Sequence, residues 1–214
     1  MIKLNFKSKY LNKYSNDYEY RFIINTIVSF VLTILFALYN ALIGFYYKTQ
    51  FNISISIYYF LLVIIRIVAF IDERKERKYN KKYKSLNIVQ TIIMLFMNIS
   101  LFAPITIMVI GKKIVNYGTI SAITIATFTT YKIVSTIVAY FKKKKYTIRN
   151  IKMFKTIKLQ EALLAILTLQ NTLVMTFNKG SFDSMKSLIT ISSFFIVGLM
   201  IFISVKTLIN YVKE

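Results

Sequence analysis

Six long apolar runs leave this chain few ways to fold. They cover residues 22–47, 53–71, 86–110, 119–141, 156–177 and 187–209. Each is near or above the roughly 20 residues a helix needs to cross a hydrocarbon core about 30 Å thick. In lipid, only helices and closed barrels satisfy their own backbone. Barrel strands would run about ten residues and alternate polar with apolar; these runs are longer and continuous. The chain therefore reads as an all-α, polytopic membrane bundle of six transmembrane helices. The first run follows about twenty mostly polar residues and is too long for the core of a secretion signal. Residues 1–21 are thus expected to remain as a basic N-terminal segment, ahead of a membrane domain at 22–210 and a short end at 211–214.

The formal charge of +21 invites a nucleic-acid reading, so the positions of the charges matter. Lys3, Lys7, Lys9, Lys13 and Arg21 precede the first run. "DERKERKYNKKYKS" follows the second, Lys142 to Lys145 with Arg149, Lys152 and Lys155 follow the fourth, and Lys206 and Lys213 close the chain. The other three connections hold only Lys48, Lys112, Lys113, Lys179 and Lys186. The alternation follows the positive-inside rule and puts both termini in the cytoplasm of a cell that carries the protein in its plasma membrane. The same residues attract anionic lipid headgroups, at about 1 kcal/mol each near the surface. No nucleic-acid recognition module accompanies them, so no nucleic-acid partner is expected. The opening "MIKLNFKSKYLNKY" fits either an interfacial helix or a disordered basic tail.

The connections "YKTQFN", "GKKIVNYG" and "NKGSFDSM" are too short to fold alone. They predict three helical hairpins, of runs 1–2, 3–4 and 5–6. "IVAFIDERK" and "IVAYFKKKK" end the first two, and "YNALIGF" aligns Asn40 with Asn171 of "QNTLVMTF". Pro104 is expected to kink the third run, since proline lacks the N–H and crowds the preceding turn.

Polar residues gather on single faces. In the first run Thr26, Ser29, Thr33, Ala37, Asn40 and Gly44 are three or four apart, and Ala41 makes a small-xxx-small pair with Ala37. Small residues let helices approach closely, and Ser, Thr and Asn bond across the contact. The stripe fits a packing seam, a docking face for a partner, or a cavity wall. Similar faces carry Ser56, Tyr59 and Arg66 in the second run and Asn87, Thr91 and Asn98 in the third. The fourth has Thr129, Lys132 and Thr136; the fifth has Glu161, Thr168, Asn171 and Thr172.

Arg66, Lys132 and Glu161 are ionisable residues well inside runs, and such residues mark function by default. At 1.5 Å per residue, Lys132 lies about 15 Å from the nearer end of its run, Arg66 about 9 Å and Glu161 about 8 Å. Snorkelling is hard at the Lys132 depth, so an ion pair with Glu161 or an anion-binding role is expected; Lys158, at the start of the fifth run, is a rival for the carboxylate. Asp72 and Glu73 read as loop residues. Two cations against one carboxylate leave room for an anion, from a solute or a lipid headgroup.

Conventional catalysis lacks its parts. There is no Cys and no His, hence no thiolate, no imidazole base and no usual metal set. Neither a phosphate-binding loop nor a dinucleotide fingerprint is present. No enzyme activity, metal or cofactor is expected.

The six-run layout and the "ALYNA" motif resemble the substrate-binding S-components of energy-coupling-factor transporters, where an AxxxA motif docks the coupling subunit. That resemblance implies a docking role for Ala37 and Ala41. "LTLQNTLVMTF" with the short loop and span after it resembles uncharacterised six-helix membrane proteins of clostridial-type bacteria, and implies no activity. Two function classes follow. One is a solute- or lipid-binding carrier component using Lys132, Arg66, Glu161, Asn98 and Asn171. The other is a non-transporting accessory protein that docks a membrane partner, or itself, through small-residue faces.

Overall fold

The computed structural model describes residues 18–79, 84–110, 117–141, 151–177 and 182–213. Most of the N-terminal basic segment, Glu214 and the basic stretches 80–83 and 142–150 lie outside the described residues, as do the connections 111–116 and 178–181. The rest is helical: α1 (Tyr18–Tyr47), α2 (Gln50–Tyr79), α3 (Lys84–Ser100), α4 (Phe102–Ile110), α5 (Gly118–Phe141), α6 (Ile151–Phe177) and α7 (Phe182–Lys213). α3 and α4 are halves of one interrupted helix, so the bundle has six among the described residues. Pro104 explains the interruption. It gives the Ser100 carbonyl no N–H and crowds it. The chain turns at Leu101, whose N–H drops back to Asn98 O at 3.3 Å, and the Ile105 N–H resumes to Leu101 O at 3.3 Å.

Among the described residues, five helices are long and apolar enough to cross a membrane: α1, α2, joined α3–α4, α5 and α7. Their outward positions carry residues such as Leu42, Phe45, Ile120 and Ile191, which suit hydrocarbon. This is the build of a multi-pass membrane protein. α6 differs from what its run suggested. It is long, yet Gln160, Glu161, Gln170 and Asn171 make it too polar for that class. Most of α6 is buried by its neighbours, so its surface need not match lipid.

Packing corrects the hairpin expectation. α1 and α2 form the first hairpin and pack along their length, and α6 packs on α7. The fourth run does not pair with the third: α5 lies along α6, and α3 lies along α7. α2 touches both α6 and the α3–α4 helix, so α2 and α6 make the centre. The short connection at 111–116 makes two runs neighbours in sequence without pairing them; α5 is held to α6 instead, by Thr129 Oγ1 to Ala165 O and Thr136 Oγ1 to Lys158 O.

The α1–α2 hairpin turns on two residues. Lys48 takes φ 51°, Thr49 N–H bonds Gly44 O at 2.9 Å, and Lys48 N–H bonds Phe45 O at 3.4 Å; this pair of bonds closes a helix with a left-handed residue. Gly44 sits where the two helices approach. A Cβ there would lie 2.7 Å from Ile53 Cγ1 and 2.9 Å from Ile53 N. Two outcomes are expected in denaturation of the micelle-solubilised protein. Gly44→Ala should cost about 1–3 kcal/mol, as overpacked sites do, whereas Leu38→Ala on the exposed face should stay within about 0.5 kcal/mol. Lys48→Gly should stabilise by about 1 kcal/mol by removing a side chain from the left-handed region.

Candidate functional site

The stripe of α1 faces inward. Thr26, Ser29, Thr33, Ala37, Asn40 and Gly44 are all buried and Ala41 is half-buried, while Leu35, Leu38 and Leu42 on the opposite side are exposed. Ser56 Oγ of α2 donates to Ala37 O at 2.8 Å, a contact a larger residue in the seam would obstruct. The seam is therefore used within the chain.

At the level of Ser29 and Thr33 the four helices α1, α2, α5 and α6 meet around one carboxylate. Glu161 is fully buried, Lys132 is 2% exposed and Arg66 is 3% exposed. Lys132 Nζ lies 2.6 Å from Glu161 Oε2, and Arg66 Nη2 lies 2.7 Å from Glu161 Oε1. Each carboxylate oxygen thus holds one cation. The ammonium also donates to Thr33 Oγ1 at 2.6 Å and to Ser29 Oγ at 3.2 Å, which uses its three hydrogens. Arg66 Nη1 donates to the same Ser29 Oγ at 3.3 Å. The Thr33 hydroxyl donates to Ser29 O at 2.7 Å, and its 3.4 Å approach to Glu161 Oε1 is secondary. Helical spacing produces the arrangement: Ser29 and Thr33 are one turn apart and present adjacent oxygens.

The face of α5 settles against α6 around this cluster. Thr129 Oγ1 donates to Ala165 O at 3.1 Å and Thr136 Oγ1 to Lys158 O at 3.1 Å, so Lys132 is centred between two interhelical bonds. Lys132 Nζ also lies 5.2 Å from the centroid of Phe128, within the range where a ring face attracts a cation. Phe128 stacks on Phe36 of α1 at 3.7 Å, and Tyr59 of α2 meets Phe36 edge-on at 5.3 Å.

Two grooves flank α1. One, of about 630 Å³, opens between α1 and α5, with Leu35, Phe36 and Tyr39 on one wall and Phe128 and Tyr131 on the other. Its floor is the Phe36–Phe128 stack, one ring away from the Lys132 ammonium. The other, of about 200 Å³, lies between α1 and α2 beside Phe30, Ile67 and Phe70. It meets Arg66 along its stem, since the guanidinium is turned toward Glu161.

The remaining candidates go elsewhere. Asn98 belongs to a second polar network: it accepts from the Tyr58 hydroxyl, and its Nδ2 donates to Met200 O at 3.1 Å and Ser204 Oγ at 2.9 Å. Gln160 Nε2 converges on the same two atoms at 2.9 and 3.0 Å. Asn171 is buried in α6 with both amide atoms unpartnered among the described residues, and Asn40 donates to Phe36 O at 2.8 Å on its own helix. The five binding candidates are therefore not one site. Lys158, at the start of the fifth apolar run, is buried, because α6 begins earlier than that run, at Ile151. Asp72 and Glu73, read as loop residues, are buried on α2, and Asp72 accepts from Gln90 Nε2 at 2.7 Å. The sequence reading missed Gln90 and Gln160; both are amides inside apolar runs, which was the available signal. No family model, curated protein or solved structure matches the chain.

Removing one partner of a buried ion pair strands the other, which costs about 3–5 kcal/mol. Glu161→Gln would strand two cations, whereas Lys132→Met leaves Arg66 and Glu161 as a balanced pair. Denaturation should therefore show a loss of about 3–5 kcal/mol for Glu161→Gln, and less than half of that for Lys132→Met. Equal losses would mean the charges are not coupled.

Proposed function

We propose that the chain is a non-catalytic carrier component that binds an anion between its α1–α2 and α5–α6 pairs. The observation that carries this reading is the charge of the cluster: two cations share one carboxylate, all three enclosed. A net positive charge in a low-dielectric interior is unfavourable, and an anion offsets it. The lock spans two helix pairs, with Arg66, Ser29 and Thr33 on one and Lys132 and Glu161 on the other. An anion that takes over the cations frees Glu161 and lets the pairs separate along the groove between α1 and α5. By the distribution of lysine and arginine, the ends of α2 and α5 face the cytoplasm across the plasma membrane, with anionic headgroups around them.

An accessory role, docking a membrane partner or a second copy through small-residue faces, is less favoured. Ala37 is buried against α2, so the stripe would have to be uncovered first. The same burial weakens a docking role of the S-component kind at Ala37 and Ala41.

The test is the unfolding temperature of the protein in neutral detergent with sodium benzoate, against sodium chloride at equal ionic strength. Benzoate should raise it by about 4 °C for a chain of this size, as a ligand well above its dissociation constant does. Lys132→Met should fold and lose the rise. An unchanged response in Lys132→Met, or none in the wild type, would refute the reading.

A further inference from the structure

The smaller groove beside α1 ends at an exposed cation. It lies between α1 and α2, with Thr26, Ile27 and Phe30 on one wall and Arg66, Ile67 and Phe70 on the other. The lining it exposes is apolar throughout, the Arg66 stem and the Thr26 side chain included. We infer that this groove holds one acyl chain of an anionic phospholipid whose phosphate is bound by Arg74. The groove opens sideways toward lipid, since Ile27 is 52% exposed and Ile67 42%. Both helices belong to spans long and apolar enough to cross a membrane, and the α2 span ends at Lys75. Arg74 therefore stands at the edge of the hydrocarbon, one turn beyond Phe70. Its Cζ lies 4.9 Å from the centroid of the Phe70 ring. The ring ties the guanidinium to the mouth of the groove and uses none of its N–H groups. Arg74 is exposed and has no ion-pair partner among the described residues. A phosphate at the interface accepts two such N–H bonds in parallel.

The dimensions select the occupant. The walls extend from Thr26 to Phe30 on α1 and from Arg66 to Ile71 on α2, about 6 Å and about 8 Å at 1.5 Å per residue. A helix, about 10–12 Å across with its side chains, would gain one turn of contact there. Helix association in lipid also favours small residues at the contact, which Ile27, Ile67 and Phe70 are not. A hydrocarbon chain enters such a cleft without bringing polar groups along. The phosphate it carries must sit at Arg74, because the groove itself offers no donor. The neighbours set the charge of the headgroup. Lys75 is exposed beside Arg74. Asp72 is buried and accepts from Gln90 Nε2 of α3 at 2.7 Å, and Glu73 is buried and engaged. The exposed charge on Arg74 and Lys75 is positive, so a headgroup with its own ammonium gains less there than one with net negative charge. At its deep end the chain lies on the Arg66 stem, whose guanidinium is held at Glu161. Occupancy therefore steadies the ion cluster from the lipid side.

Lipid addition to the detergent-solubilised protein tests this. Dioleoyl phosphatidylglycerol and dioleoyl phosphatidylcholine would be compared at equal mole fraction in neutral micelles, with glycerol phosphate as the headgroup without chains. Phosphatidylglycerol should raise the unfolding temperature by about 4 °C over phosphatidylcholine, and glycerol phosphate should leave it unchanged. Arg74→Gln should lose most of that difference. Lys213→Gln, which removes one exposed cation at the C-terminal end of α7, should keep it. Ile67→Trp fills the groove from its exposed wall and should lose it. An equal response to both lipids, or a difference that survives Arg74→Gln, would overturn the assignment. A matching response to glycerol phosphate would overturn the lipid in favour of free phosphate, and a response kept by Ile67→Trp would overturn the groove as the seat of the chain. Native mass spectrometry gives a second reading that does not depend on unfolding. The wild type should retain one phosphatidylglycerol with roughly tenfold higher affinity than Arg74→Gln; equal retention would overturn the role of Arg74. A dimer that Ile67→Trp abolishes would make the occupant a second copy and overturn the lipid.

Discussion

One buried carboxylate holds this bundle in register. Glu161 is part of α6, and through Lys132, Arg66 and Thr33 it touches α5, α2 and α1. Ions removed from water lose solvation worth several kcal/mol each, and attraction in the interior compensates only when the geometry is good. The Lys132 side meets that condition, since the ammonium has three acceptors; Arg66 Nη2 lies 2.7 Å from Glu161 Oε1 but is not aligned for a hydrogen bond. The cluster need not add net stability. What it does is make alternative registers costly, since sliding α2, α5 or α6 by a turn would separate a charge from its counter-ion, and sliding α1 would take Ser29 and Thr33 from the ammonium.

This constraint orders the rest of the structure. α6 must be enclosed, because it carries the acid, and enclosure lets it carry Gln160 as well. Gln160 on one side of α6 and Asn98 from α3 both donate to Met200 O and Ser204 Oγ of α7. α6 therefore faces two polar contacts, an ionic one toward α1, α2 and α5 and an amide one toward α7. Interhelical bonds of this kind contribute roughly 0.6 kcal/mol on average in membrane proteins, so the ionic contact is the more sensitive to loss. The outer surfaces of the other helices are left to residues that suit lipid, and the two grooves beside α1 open onto that surface.

Much of this was legible in the sequence. Run length and continuity gave the six helices, because crossing lipid demands both, but not all of their ends: α2 runs on to Tyr79 and α6 begins at Ile151. The three-to-four spacing of Thr26, Ser29, Thr33, Ala37, Asn40 and Gly44 gave the inward face of α1. The depth of Lys132 together with a single well-embedded acid led to the Lys132–Glu161 contact. The packing order was not legible, since short connections show only which runs are neighbours in sequence; the shared cluster pairs α5 with α6. Nor was the separation of Asn98 from the ionic cluster, because a face assignment says which way a side chain points but not what another helix brings to meet it. The Asp72–Gln90 bond was hidden because α2 continues past the apolar run that announced it.

The central claim is that the Glu161 cluster locks one helix pair to the other. The chain contains no cysteine, so spin labels can be attached to single introduced cysteines without background. Leu42 on α1 and Ile120 on α5 are exposed and lie on opposite pairs; Leu42 and Ile57 lie within one pair. Pulsed electron resonance of the two doubly labelled proteins would compare distances with Glu161 intact and with Glu161→Gln. The account predicts that the Leu42–Ile120 distribution broadens or lengthens in Glu161→Gln while the Leu42–Ile57 distribution is unchanged. An unchanged Leu42–Ile120 distance would contradict it, showing that apolar packing alone holds the pairs together.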